Sequence, residues 1–224
     1  ASADKVHGDT LPYQNGFTVL SIYEPHGVTG HIIPWNYPMQ ILGRSLGAAL
    51  AMGNAAVVKP AEEACLTILE FAKIAEKAGL PKGALNVVTG LGAEAGAALS
   101  EHPDVNHISF TGSVRTGEAV QAAAAKNTVP VTLELGGKSP QIVFADADID
   151  ALLPVAVNAI IQNAGQTCSA GSRLLIERSA YDQVLERLGA AFAALRTGPA
   201  TMDLDCGPLI RHTQQTRVAG FLED

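Results

Sequence analysis

Cysteine and histidine are scarce and scattered in this chain. Three cysteines, Cys65, Cys168 and Cys206, fall within 224 residues with no Cys-x-x-Cys spacing. That excludes a disulfide framework and suits a reducing compartment. The six histidines form no His-x-x-x-His pair and no cluster with cysteine, so no metal site is expected. Long apolar runs are also lacking. The longest are alanine-rich and interrupted by Gly, Arg or Asn, well short of a bilayer span, so no membrane association is expected. Basic charge is in deficit, with 15 Lys and Arg against 22 Asp and Glu, a net charge of −7 without blocks of one sign. A nucleic-acid partner therefore has no electrostatic support. The opening Ala1-Ser2-Ala3-Asp4-Lys5 lacks the features of a targeting segment and does not begin with Met. Both ends read as cut from a longer polypeptide, in a cytoplasmic setting.

What is abundant is apolar material, 47% of residues with a mean hydropathy of +0.18, enough for a substantial core. Residues 1–16 are polar with Gly and Pro, and 17–24 alternate as a half-buried strand of an arm. A regular cadence follows. Strands are expected at 28–33, 55–58, 85–89, 107–110 and 129–134. Helices are expected between them, at 39–52, 63–78, 93–100 and 115–126. Short β-rich runs alternating with helices, without hairpin signals, specify a parallel sheet covered on both faces. The expected fold is α/β, an open Rossmann-like sheet whose ligands sit at the carboxyl ends of the strands. After Gly136-Gly137 the chain changes role, with strands at 141–144 and 174–177 and helices at 149–162 and 181–195. Three parts are expected: an arm at 1–24, a Rossmann-like domain at 25–136, and the first, incomplete part of a second α/β domain at 137–224. The end of the chain, 218–224, reads as a helix.

Several segments carry chemistry, each with a plainer alternative. Cys168 sits in Gly165-Gln166-Thr167-Cys168-Ser169-Ala170-Gly171, where a thiol on a Gly-flanked turn can reach a substrate as a nucleophile. The alternative is a buried structural thiol, which is also the reading for Cys65 and Cys206. Glu134, ending a strand beside two glycines, suits a general base acting on water or a salt-bridged strand-end acid. Asn36, in Pro34-Trp35-Asn36-Tyr37-Pro38, is either an oxyanion donor or a turn former. Lys59-Pro60-Ala61-Glu62 follows a strand at the ligand edge. Its Lys and Glu could bond ribose hydroxyls, and the carboxylate would repel a 2′-phosphate, favouring NAD over NADP. It also reads as a helix start with Pro at N1. Phe110-Thr111-Gly112-Ser113 opens a helix whose backbone N–H groups can hold a pyrophosphate, or is simply a capped turn. Gly90-Leu91-Gly92-Ala93-Glu94-Ala95-Gly96 is a second Gly-rich strand-to-helix turn.

Taken in order, these segments resemble the aldehyde dehydrogenase superfamily over practically the whole chain. Ile32-Ile33-Pro34-Trp35-Asn36-Tyr37-Pro38, Leu133-Glu134-Leu135-Gly136-Gly137-Lys138-Ser139-Pro140 and the Cys168 segment through Arg173 carry the resemblance, with the Lys59 and Phe110 segments between them. The resemblance implies a hydrolytic, NAD-dependent enzyme, with NADP left open, acting on a small aldehyde. Cys168 would be the nucleophile, Glu134 the general base, and Asn36 with the Cys168 N–H the oxyanion hole. Lys59 and Glu62 would hold the adenosine ribose. Ile32, Ile33, Pro34, Trp35, Gly92, Gly96, Phe110, Gly112, Ser113 and Leu135 would lie around the cofactor. Thr167 would line the substrate tunnel, and Tyr37 would either line it or pack in the core. It also implies a homodimeric or homotetrameric parent about twice this length. The later Glu-x-Phe-Gly-Pro motif of the family has no counterpart in residues 1–224. Two competing readings remain: a nucleotide-binding module without turnover, and a cysteine hydrolase, which no histidine motif supports.

Overall fold

The computed structural model describes residues 3–223. The chain divides into two compact units, residues 1–135 and 136–224.

The first unit is built on a five-stranded, all-parallel sheet in the order β5-β4-β3-β6-β7. The strands are β3 (Val28–Ile33), β4 (Ala55–Pro60), β5 (Leu85–Val87), β6 (His107–Thr111) and β7 (Val131–Glu134). The order reverses at β3: the chain winds outward through β4 and β5, then returns to add β6 and β7 on the other side. Such a reversal opens a crevice at the carboxyl ends of the strands. Helices α1 (Pro38–Ala51) and α2 (Leu66–Lys77) pack on one face of the β5-β4-β3 half, burying Ile41, Leu42, Leu46 and Ile68 against Ile33, Ala56 and Val58. Helices α3 (Ala97–Glu101) and α4 (Val114–Ala125) cover the β3-β6-β7 half on the other face. There Ile108, Phe110, Val120 and Ala124 form a second core cluster. The two faces of β3 are therefore divided residue by residue, Ile33 into one cluster and Ile32 into the other, as the two-residue period of a strand requires.

Several elements differ from expectation. Residues 17–24 do not form an extended strand. Only β2 (Val19–Leu20) pairs, antiparallel to β1 (Thr10–Leu11), while Phe17, Leu20, Ile22 and Tyr23 are exposed. Their alternation has no partner surface within this unit to bury against. Lys59 and Pro60 are not a helix start but the last residues of β4, which suits Pro60 because β5 pairs only as far as Val58. The expected helix at 63–78 begins three residues later, at Leu66, with Cys65 before its first residue. The segment at 93–100 opens as a π-helical turn, Gly92–Gly96, before α3.

The second unit contains a two-stranded parallel sheet, β8 (Pro140–Val143) with β9 (Arg173–Ile176), and helices α5 (Ile149–Ile161), α6 (Tyr181–Ala193) and α7 (His212–Glu223). Asp148 caps α5 by accepting from the N–H groups of Asp150 and Ala151 at 2.9 and 3.2 Å. Val143, Leu174 and Ile176 face α6 and pack with its buried Val184. Ile142, Phe144 and Leu175 alternate with them and are more than half exposed.

Candidate functional site

The register of the sheet sets four of the expected cofactor residues, Ile32, Ile33, Lys59 and Phe110, in two rows at its carboxyl edge. Ile32 lies beside Lys59 on one side and Phe110 on the other, and Phe110 lies beside Leu133. One residue further on, Ile33 pairs with Pro60 and Thr111 with Glu134. The turn Pro34-Trp35-Asn36 leaves the end of β3, with all three residues half-buried, and leads directly into α1.

Lys59 is buried at 3% exposure, and its Nζ donates to Glu62 Oε2 at 3.2 Å. An ammonium withdrawn this far from water requires a charged or hydrogen-bonding partner. The pair sets donors and a carboxylate together at the end of β4, the chemistry needed to grip vicinal ribose hydroxyls. Past β6, a Cβ placed on Gly112 would lie 2.6 Å from the Phe110 ring, so any larger residue there requires the ring to shift. Ser113 then caps α4, its hydroxyl accepting from Thr116 N–H at 3.3 Å. The aligned N–H groups of a 12-residue helix give this turn a partial positive charge. Leu135 packs on the first turns of α4, whose Gly117 would otherwise carry a Cβ 2.6 Å from the leucine Cδ2. Gly96 is buried and Gly92 exposed, both within the π-helical turn. The residues that would meet a nucleotide's ribose and phosphates are thus present and compatible with it.

Glu134 ends β7 with an exposed side chain, and its Oε2 lies 3.9 Å from Arg44 Nη2 on α1. Sequence reading did not single out Arg44. The available signal is helical spacing, since Arg44 lies seven residues after Tyr37 and three after Ile41, on the same side of α1. Arg44 and Glu134 stand at a cavity of about 510 Å³ on the sheet face beside α1, whose lining also includes Thr29, His31, His107 and Thr111. Of the cofactor and catalytic residues expected from sequence, only Glu134 lines it.

His31 is a second residue that sequence reading passed over. Thr29 Oγ1 donates to the carbonyl of Ala55 at 3.0 Å, so His31 must donate its Nε2–H to the same hydroxyl at 2.9 Å. That tautomer leaves His31 Nδ1 as a buried acceptor without a partner among the described residues. Burial, then the neighbouring His107, lowers its pKa from 6.5 to about 4. His107 is lowered as well, by burial and by His26, on which it stacks with 5.0 Å between ring centroids.

In the second unit Cys168 is exposed, not buried, in the loop between α5 and β9. The loop is entered through three left-handed residues, Asn163, Ala164 and Gly165, at φ of 52°, 57° and 74°. Two of these are not glycine, a conformation that L side chains adopt only when surrounding structure holds it. Thr167 donates its hydroxyl to the Gln162 carbonyl at 3.2 Å, and Gly171 N–H donates to the Ala159 carbonyl at 3.0 Å. Gln141 Nε2 donates to the Gly171 carbonyl at 3.0 Å, and Arg173 Nε to that of Lys138 at 2.7 Å. A Cβ on Gly137 would sit 3.0 Å from the Cys168 carbonyl oxygen, so the glycine lets that backbone approach closely. Cys65 and Cys206, read as buried structural thiols, are only half-buried; Cys65 precedes the first residue of α2. Cys168 belongs to the second unit, Asn36 and Glu134 to the first.

The aldehyde dehydrogenase family model matches residues 1–224. The chain belongs to the aldehyde dehydrogenase family. It is 45% identical over 223 residues to hydroxyisobutyraldehyde dehydrogenase of Mycolicibacterium austroafricanum, covering 99% of this chain and 44% of that protein. It is 44% identical over 223 residues to mouse aldehyde dehydrogenase, cytosolic 1, with the same coverage of both chains. Among solved structures, a provisionally named aldehyde dehydrogenase from Burkholderia cenocepacia superposes with a TM-score of 0.97 at 70% identity, over all of this chain and 47% of that one. An aldehyde dehydrogenase from Bacillus cereus, solved as an NAD+ complex, superposes with a TM-score of 0.95 at 40% identity, over 99% of this chain and 45% of that one. The chain therefore spans about half the length of these relatives. Among the described residues, no helix is long and apolar enough to cross a membrane, and no group of His, Cys, Asp and Glu could hold a metal ion.

Proposed function

We propose that residues 1–224 are the cofactor-binding and nucleophile-bearing part of an NAD-dependent aldehyde dehydrogenase that oxidises an aldehyde to a carboxylic acid. The exposure of Cys168 carries this reading, because a thiol on a fixed, accessible loop is placed for attack in a chain whose whole length matches the family. The bare outer face of the β8–β9 sheet supports a larger second domain than residues 136–224 supply, since parallel sheets are covered on both faces.

In this reading the Cys168 thiolate adds to the aldehyde carbon, and Asn36 with the Cys168 N–H stabilises the resulting alkoxide. Covalent capture matters because an aldehyde is a poor hydride donor, whereas the tetrahedral thiohemiacetal expels hydride as its alkoxide collapses to a thioester. NAD, when bound, supplies the acceptor for that hydride. Glu134 then takes a proton from water; the water oxygen bonds to the acyl carbon, and the C–S bond breaks to return the thiolate and release the acid. Lys59 and Glu62 would hold the adenosine ribose, and the Gly112–Ser113 turn the pyrophosphate, with Glu62 favouring NAD over NADP. The cofactor found in the Bacillus cereus relative supports NAD for this chain. A cytoplasmic setting, a homodimeric or homotetrameric parent and a boundary near residue 136 belong to the same proposal; the unit division at 135 supports the boundary.

The test is aldehyde-dependent NADH formation by full-length enzyme carrying these residues. Cys168→Ala should abolish it, and turnover that survives the substitution refutes the reading. A second reading, favoured by coverage of only 44% of the relative's length, is that the 224-residue chain alone binds nucleotide without turnover. NADH production by the isolated chain would overturn that second reading.

A further inference from the structure

We propose that Arg44 is a positioning residue for Glu134, holding the carboxylate at the end of β7 where it serves the hydrolytic half-reaction. This rests on the reading of Glu134 as the general base. The placement follows from the core. Ile41, Leu42 and Leu46 are buried against the sheet, so they fix the rotation of α1 about its own axis. Arg44, exposed, then overlooks the sheet face that ends at Glu134, and its guanidinium reaches Glu134 Oε2 at 3.9 Å.

Among the residues lining the cavity beside α1, Arg44 is the one arginine or lysine. The other carboxylate on that lining is Glu24, and the imidazoles of His26, His31 and His107 with the phenol of Tyr23 complete its ionisable groups. Glu134 therefore has a single permanent cation directed at it from this face. Both side chains are more than half exposed, at 58% and 56%, so the contact is an adjustable tether rather than a buried lock. That suits a base that must be oriented yet free to take up a proton from water. Guanidinium is the apt group for the task, since it stays charged across the working pH range and cannot itself compete for the proton.

The consequence is a split between half-reactions. Formation of the thioester does not use Glu134 as base, whereas its hydrolysis does. In full-length enzyme carrying residues 1–224, assayed with propionaldehyde and saturating NAD, Arg44→Met should lower kcat about 5-fold, the scale of an exposed ion pair. KM for this uncharged aldehyde should stay unchanged. Because hydrolysis becomes limiting, a rapid burst of NADH equal to the active sites should precede the slower steady state. Arg44→Lys should restore most of the turnover. Arg44→Met combined with Glu134→Gln should be no slower than Glu134→Gln alone, since the tether then has nothing to position. NAD affinity and the thermal midpoint check that each variant is folded, and Arg44→Gln replaces Arg44→Met if the latter is not.

Wild-type kcat in the neutral variants overturns the inference, as does a rise in KM with kcat intact, or a loss fully additive with Glu134→Gln. Failure of the underlying reading looks different: Glu134→Gln would then turn over normally. Loss of hydrolysis in Glu134→Gln beside wild-type behaviour in the Arg44 variants sinks only the positioning role.

Discussion

Lys59 Nζ lies 3.2 Å from Glu62 Oε2, the lysine buried at the end of β4 and the glutamate at the edge of solvent. The carboxylate neutralises a buried ammonium, and in the proposed reading it also meets a ribose hydroxyl. Glu62→Gln keeps the shape and removes the charge. It should lower stability by about 1 kcal/mol, the modest value reflecting the exposure of Glu62. By calorimetry it should also narrow the preference for NAD over NADP. An unchanged ratio of the two affinities would remove Glu62 from the ribose site.

Gly112 and Gly92 make a paired test of the turns assigned to the cofactor. A Cβ on Gly112 meets the Phe110 ring at 2.6 Å, whereas one on Gly92 meets nothing within 4 Å. Gly112→Ala should therefore cost about 1–3 kcal/mol in urea unfolding, as overpacking does. Gly92→Ala should be close to neutral. Equal effects would mean that the Phe110 ring moves aside freely.

His31 gives the first unit an acid-sensitive point. Its folded pKa of about 4 lies below the unfolded value of 6.5, so the unfolded chain binds the proton more readily between those limits. Stability is therefore fully present above pH 6.5 and is lost as pH falls from 6.5 to 4. The loss amounts to at most roughly 3 kcal/mol. His31→Gln should flatten this part of the thermal midpoint profile. The depressed pKa of His107 leaves a residual slope of the same sign. A profile as steep in His31→Gln as in wild type would contradict the assignment.

The three thiols differ in access. Cys168 is exposed, while Cys65 and Cys206 are half-buried. Brief treatment with iodoacetamide should modify Cys168 first, as peptide mass mapping would show. Preferential labelling of Cys65 or Cys206 would mean that the 166–172 loop shields its thiol.

The hydrophobic cadence made the parallel sheet legible, because each of its five strands is followed by a helix or Gly-rich turn that its pattern announces. Lys59, Ile32 and Phe110 stand in separate sequence motifs, and register sets them side by side in one row of the sheet. What sequence could not supply came from tertiary placement. Residues 17–24 alternate like a strand, but alternation specifies burial only where a covering surface exists. Arg44 is an ordinary helix-surface arginine until β7 ends beside it. The polarity of His31 is unremarkable in sequence, and its orphaned Nδ1 follows from Thr29 spending its one proton on Ala55.

The central claim is that Cys168 carries the acyl group. The most direct measurement is mass spectrometry of the Cys168 peptide from full-length Glu134→Gln enzyme, quenched after mixing with propionaldehyde and NAD. A propionyl adduct on Cys168, absent when NAD is omitted, is the expected result. An unmodified Cys168 peptide in a sample that has formed one equivalent of NADH would contradict the account.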